Sequence, residues 1–132
     1  MQNIKRITTQ TAWWAAAAVL YLHQLVQILD LRSQTDSLTH FLGGLAITAF
    51  IWTLCPLFTY LLGPLFFSWR IIVTFGGGCS AALIWELAEF ASDQFLNTSI
   101  QHTIEETMTD LVAGFAGCCL ACLAVATRYK KD

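Results

Sequence analysis

Residues 41–85 read FLGGLAITAFIWTLCPLFTYLLGPLFFSWRIIVTFGGGCSAALIW, and one charged residue, Arg70, interrupts them. About 20 apolar residues cross the ~30 Å hydrocarbon core of a bilayer, so a run of this length holds two crossings. Gly63-Pro64 divides it. Proline removes a backbone donor and clashes with the preceding turn, and the glycine beside it is a turn signal. Working outward, a third apolar stretch (13–31) precedes this run and a fourth (108–126) follows it. The expected architecture is a single all-α domain over residues 1–132, a bundle of four transmembrane helices. The helices fall at 13–31, 38–62, 71–92 and 107–127, with connections at 32–37, 63–70 and 93–106.

Composition agrees. The chain has 132 residues, 56% hydrophobic and only 12% charged. A soluble domain carries about 25% charged residues, and one this small has too little interior to bury so much apolar surface. The formal net charge is −2, with no basic cluster beyond Lys130-Lys131, which excludes a nucleic-acid binder. Lys5-Arg6 precede the first apolar stretch as they would in a signal peptide. That stretch is longer than an ordinary signal core, and His23-Gln24-Leu25 stands in place of a small-residue cleavage site, so an uncleaved span is expected.

Orientation follows from lysine and arginine. Four crossings put Lys5, Arg6, Arg70, Arg128, Lys130 and Lys131 on one side and Arg32 alone on the other. The positive-inside rule makes the crowded side cytoplasmic, with both termini there. Trp13-Trp14, Trp69 and Tyr129 fall at that interface and Trp85 lies toward the outer one, as an aromatic belt requires.

The acids are distributed the opposite way, with only Asp132 on the inner side. Asp30 and Asp36 flank the first outer loop. Glu86, Glu89 and Asp93 end the third helix, and Glu105, Glu106 and Asp110 begin the fourth. At a rise of about 1.5 Å per residue, Glu86 and Glu89 stand roughly 22 and 27 Å above the inner surface, and His40 about 6 Å below the outer one. Glu86, Glu89 and Asp93 share an arc of about 60°. Asp36 and His40 are i, i+4, as are Glu106 and Asp110, so each pair stacks on one face. An acid at mid-membrane costs about 2.5–3.5 kcal/mol, less near the interface. No Lys or Arg lies in these segments, so protons, a metal ion or a water-filled cavity must neutralise them. His40, Glu86, Glu89 and Asp110 are therefore expected to converge as metal ligands, with Asp36, Asp93 and Glu106 at the rim. The plainer reading makes Asp30, Asp93, Glu105 and His102 helix-end residues in headgroup water. It makes Asp36 and Glu106 first-turn acids that complement a helix dipole.

Asp36-Ser-Leu-Thr-His40 with Gly43-Gly44, Trp85-Glu86-Leu-Ala-Glu89-Phe-Ala-Ser-Asp93, and Glu106-Thr-Met-Thr-Asp110-Leu111 with Gly117 resemble the small bacterial membrane proteins of the YjdF-like group. That group is distantly similar to VanZ-like proteins. The resemblance covers about residues 36–117. Glu106 stands where the group usually has Asp, and Gly114 where it usually has Asn. The resemblance implies a multi-pass protein of the bacterial inner membrane and a shared polar constellation. VanZ-like proteins are linked to reduced glycopeptide sensitivity, and the resemblance supplies no substrate.

Cys55, Cys79, Cys118, Cys119 and Cys122 all lie in apolar spans, where cysteine packs as a small apolar residue. Gly77 and Ala81, and Ala113 and Gly117, are small-xxx-small pairs that let helices approach closely in lipid. His23 and Gln27 are i, i+4 on the first span. They are read as interhelical hydrogen-bond partners, or as a polar pathway leading from the outer site toward the membrane centre. Carboxylates with one imidazole suit Mg, Mn, Ca, Zn or non-haem Fe. No organic cofactor motif is present. Glu-x-x-His pairs and H-E-x-x-H are absent too, so the residues name no reaction. Three readings stay open: a metal site acting on an envelope lipid or related small molecule, a proton or cation pathway, and a non-catalytic assembly protein of the envelope. The residues fix the bilayer as surroundings but not an oligomeric state.

Overall fold

A computed structural model describes residues 11–29, 32–101 and 103–129. Lys5, Arg6, Asp30, His102, Lys130, Lys131 and Asp132 lie outside the described residues, as do the side chains of Gln27, Arg32 and Tyr129. The described chain is four helices: α1 (Trp13–Ile28), α2 (Arg32–Leu62), α3 (Phe67–Leu96) and α4 (Ile104–Tyr129). Helices are the expected solution for apolar segments in lipid, because each closes its own backbone hydrogen bonds. α2, α3 and α4 are each long and apolar enough to cross a membrane. α1 is apolar but has 16 residues, a length of about 24 Å against a core of about 30 Å. Leu29 already lies in a turn and the two residues after it are not described.

Four helix ends, the starts of α2, α3 and α4 and the end of α3, move charged residues out of the expected loops. α2 begins at Arg32 instead of residue 38, so Asp36 sits a full turn inside it. α3 begins at Phe67, where Phe66 is extended (φ −60°, ψ 152°) and its carbonyl accepts the Arg70 N–H at 3.0 Å. Gly63 ends α2 at φ 94°, a left-handed conformation that a side chain would strain. Pro56, by contrast, sits inside α2 without ending it. α3 runs on to Leu96 and stops at Asn97, whose φ of 52° suits an asparagine C-cap. The Thr103 hydroxyl accepts the Glu106 N–H at 3.1 Å and caps α4.

α2 is the hub. It packs most extensively on α4 and also on α3 and α1. The α2–α4 approach is close enough that a Cβ on Gly44 would meet the Gly114 carbonyl, and one on Gly117 would meet the Phe41 carbonyl and, at 2.8 Å, the Leu45 nitrogen. Of the expected small pairs, Gly117 thus lies at the tightest contact. Gly77 faces only the flexible tip of Ile51 at 2.9 Å, and its neighbour Gly78 is the one pressed against Thr48. α3 therefore presents the residue next to the one the small-xxx-small spacing selects.

The interior is small and polar while the exterior is apolar. The largest fully buried side chains are Thr48, Thr74, Cys55 and Cys118, whereas Trp14, Tyr60, Ile84, Phe95 and Leu123 are exposed. That inversion marks a bundle surrounded by hydrocarbon and held by close packing and interhelical hydrogen bonds. Cys118 donates to the Gly44 carbonyl at 3.6 Å, and Cys55 and Thr74 pair at 3.5 Å. All five cysteines are free thiols.

Candidate metal centre

α2 and α4 start, and α3 ends, at the same end of the bundle, which brings their acids together. His40 is the centre. Its Nδ1 lies 3.0 Å from Glu86 Oε1 across the α2–α3 interface, and its Nε2 lies 3.6 Å from Asp36 Oδ1 on its own helix. Asp110 on α4 accepts the Ser37 hydroxyl at 2.8 Å. Glu89 accepts the Trp85 indole N–H at 3.0 Å. Gln101, in the α3–α4 loop, donates its amide to both the Glu86 carboxylate and the Glu86 backbone carbonyl at 3.1 Å. Asp36, His40, Glu86, Glu89 and Asp110 are all buried, none more than 9% exposed.

A sixth group joins them from α1. His23 is 4% exposed, and its Nε2 lies 3.6 Å from Glu89 Oε1. Its ring meets the Trp85 ring edge-on at 4.9 Å and the His40 ring at 6.2 Å. The spacing within α1 pairs His23 with Gln27 and gives no partner on another helix. The available signal was depth: His23 lies about 13 Å inside Arg32, close to the level at which Glu86 lies inside Asp93, about 10 Å.

The expected rim residues divide. Asp36 is buried beside His40. Glu106 is half-buried in the first turn of α4, where an acid complements the helix dipole. Asp93 turns toward the loop. It accepts the Thr98 hydroxyl at 2.6 Å and the backbone N–H groups of Ile100 and Gln101, each at 2.7 Å. It thereby ties down the segment that delivers Gln101 to Glu86.

The donor set fits a divalent ion. One ligand atom each from Asp36, His40 and Asp110 lie within 4.8 Å of one another, as do those of His40, Glu86 and Glu89. Two ligands about 2.1 Å from a tetrahedral ion stand about 3.4 Å apart. The 3.6 Å between His40 Nε2 and Asp36 Oδ1 is near that edge and too long for a hydrogen bond. His40 Nε2 is buried with no hydrogen-bond partner, an orphan of the kind a cation would satisfy. On the other side, Nδ1 lies 3.0 Å from Glu86 Oε1, an ion-pair contact in which that oxygen too is buried without a hydrogen-bond partner. Between residues 33 and 127 the only Lys or Arg is Arg70. Its guanidinium lies 4.5 Å over the Trp52 ring, about 24 Å along α3 from Glu86. Among the described side chains, four carboxylates therefore share a buried site with two imidazoles and no Lys or Arg, an arrangement that costs several kcal/mol per ion unless compensated.

No curated protein and no solved structure matches the chain. One family model does, with the description "Predicted membrane protein (DUF2238)", and it matches residues 6–132. A helical bundle with an apolar exterior is what that description anticipates, and the chain belongs to the DUF2238 family of membrane proteins.

Proposed function

We propose that the protein binds a divalent metal ion at the end of the bundle where α2 and α4 begin, and that this site acts on a polar group of an envelope lipid. The observation that carries the reading is the buried Nε2 of His40, which has no hydrogen-bond partner and lies 3.6 Å from Asp36 among carboxylates. His40, Asp36 and Asp110 are the proposed ligands. Glu86 sets its carboxylate 3.0 Å from Nδ1 of His40, on the side of the ring away from the proposed ion. Ser37 holds the Asp110 carboxylate in place. A divalent ion would supply Lewis acidity to a phosphoryl or carbonyl oxygen and neutralise part of the acidic charge. Glu89 and His23, 3.6 Å apart on the far side of His40, form a pair able to take up and return a proton. The oxygen- and nitrogen-donor set suits Mg, Mn, Ca, Zn or non-haem Fe.

The proposal includes the orientation. With Arg70 and Arg128 at the opposite end, the positive-inside rule turns the acidic end outward and both termini toward the cytoplasm of a bacterial inner membrane. α1 completes a fourth crossing in this reading. The YjdF-like resemblance and the remoter one to VanZ-like proteins belong to the same proposal, since both bear on the envelope. A proton pathway is less well supported. Few hydroxyls would continue it inward, those of Thr48, Thr53, Thr59, Thr74 and Ser80, and of these Thr53 and Thr59 donate to the Phe50 and Cys55 carbonyls of their own helix. The test is elemental analysis of the purified protein beside Asp110→Asn and Glu86→Gln, with a reporter fused at Asp132 to read orientation. Bound divalent metal that falls in both variants supports the reading. Metal content that neither variant changes overturns it.

A further inference from the structure

The space beside the acidic cluster points to a ligand class. α1 and α3 both pack on α2 but scarcely on each other. A cavity of about 150 Å³ lies between them. Ala16 and Leu20 form one wall, Ala81 and Ala82 the other, and Gly43 and Ile47 the floor. His23, His40 and Trp85 also line it, and all three belong to the acidic site or touch it. Leu20 is 48% exposed, so one lip of this slot faces the bilayer.

Three features decide the occupant. The walls are aliphatic, and an apolar cavity of about this size stays dry and takes hydrocarbon in preference to water. The slot is lined by α2 and α3, each long and apolar enough to cross a membrane, and by the shorter apolar α1, so lipid chains are its surrounding solvent. It also touches a polar group, His40, whose buried Nε2 has no hydrogen-bond partner and would gain none from an alkane. An amphiphile meets all three conditions: chain in the slot, polar group against the histidines and carboxylates.

We propose that the slot between α1 and α3 holds one acyl chain of a membrane phospholipid, whose headgroup end reaches the His40 site. The metal reading bears only on what the headgroup meets, and the chain is tested separately. Gly43 is the lever. A Cβ there would lie 3.7 Å from Val19, an ordinary contact, so the backbone accepts a side chain and the rest of that side chain fills the slot.

The experiment uses the full chain in phosphatidylcholine vesicles containing a phosphatidylcholine with a diazirine midway along one chain. After photolysis, labelled peptides are mapped and metal content is measured on the same samples. Wild type should label α2 at 43–47 as well as the exposed Ile84 and Leu87 of α3. Gly43→Leu should lower the 43–47 label about tenfold by displacing about two chain methylenes, leaving the Ile84 label unchanged. Ala16→Leu, filling the slot from the other wall, should do the same and decides the matter if Gly43→Leu does not assemble. Absence of label at 43–47 in wild type, or label that survives the assembled variants, overturns the proposal. Loss of label with metal retained is the outcome of an occupied slot. Label without metal in wild type would sink the metal reading and leave the lipid chain in place.

Discussion

Gly117→Ala tests the α2–α4 packing on which the site depends. The new Cβ would meet the Phe41 carbonyl, with the Leu45 nitrogen only 2.8 Å away. Both are backbone atoms of α2, so no side chain can rotate aside and the helices must separate. Overpacking of this kind costs about 1–3 kcal/mol. Alanine regains up to about 1 kcal/mol over glycine in a helix, and less where the unfolded chain is already helical in the membrane. The net should be destabilising by about 1–2 kcal/mol. Gly76→Ala is the control, since no heavy atom lies within 4 Å of its Cβ position, and it should be neutral or slightly stabilising. Reversible unfolding in mixed micelles compares the two. The strain also has a functional consequence. Phe41 adjoins His40, and Gly117 lies two turns below Asp110, so parting the helices draws His40 away from Asp110. Gly117→Ala should therefore weaken metal retention, and Gly76→Ala should not. If Gly117→Ala proves as stable as Gly76→Ala, the helices do not approach as described and the site geometry loses its support.

Other outcomes follow from the same contacts. Glu86→Gln should leave the helices assembled and weaken metal binding about 10- to 100-fold, the cost of losing a carboxylate in contact with the ligand imidazole; equilibrium dialysis reads it. Asp93→Ala removes an acceptor of three hydrogen bonds and should cost about 2–3 kcal/mol in unfolding measurements while lowering metal affinity less than Asp110→Asn does. Metal retention should fall as pH falls. The carboxylates and imidazole bind the ion only when deprotonated, so protons compete with it, and a titration of bound metal against pH should decline monotonically on the acid side.

The fold was largely legible because lipid imposes a simple rule: long apolar segments become helices, and Gly63-Pro64 separates two of them. The helix ends were less so. Arg32 and Ser33 look like loop residues, yet α2 starts at Arg32, which is why Asp36 changes from a rim residue to a buried neighbour of His40. Asp93 shares a helix face with Glu86 and Glu89, and periodicity alone groups them. Its carboxylate instead serves the backbone of the loop that follows, a demand that appears only once that loop has a shape. His23 shows the opposite limit. Its spacing on α1 pairs it with Gln27, and only the way α1 packs against α2 brings it to Glu89. Helix depth could be counted from the sequence, whereas the rotation that turned Gly78 inward in place of Gly77 could not.

The most direct measurement of the central claim is metal stoichiometry. The wild-type protein, purified gently without chelator and reloaded by dialysis against Mg, Mn, Ca, Zn or Fe(II) in turn, is analysed for bound metal and for thermal stability with and without each ion. The predicted result is a divalent ion retained at a fixed ratio to protein, a higher unfolding temperature in its presence, and loss of both in Asp110→Asn. Wild-type protein that holds no divalent ion and gains no stability from any of them would contradict the account.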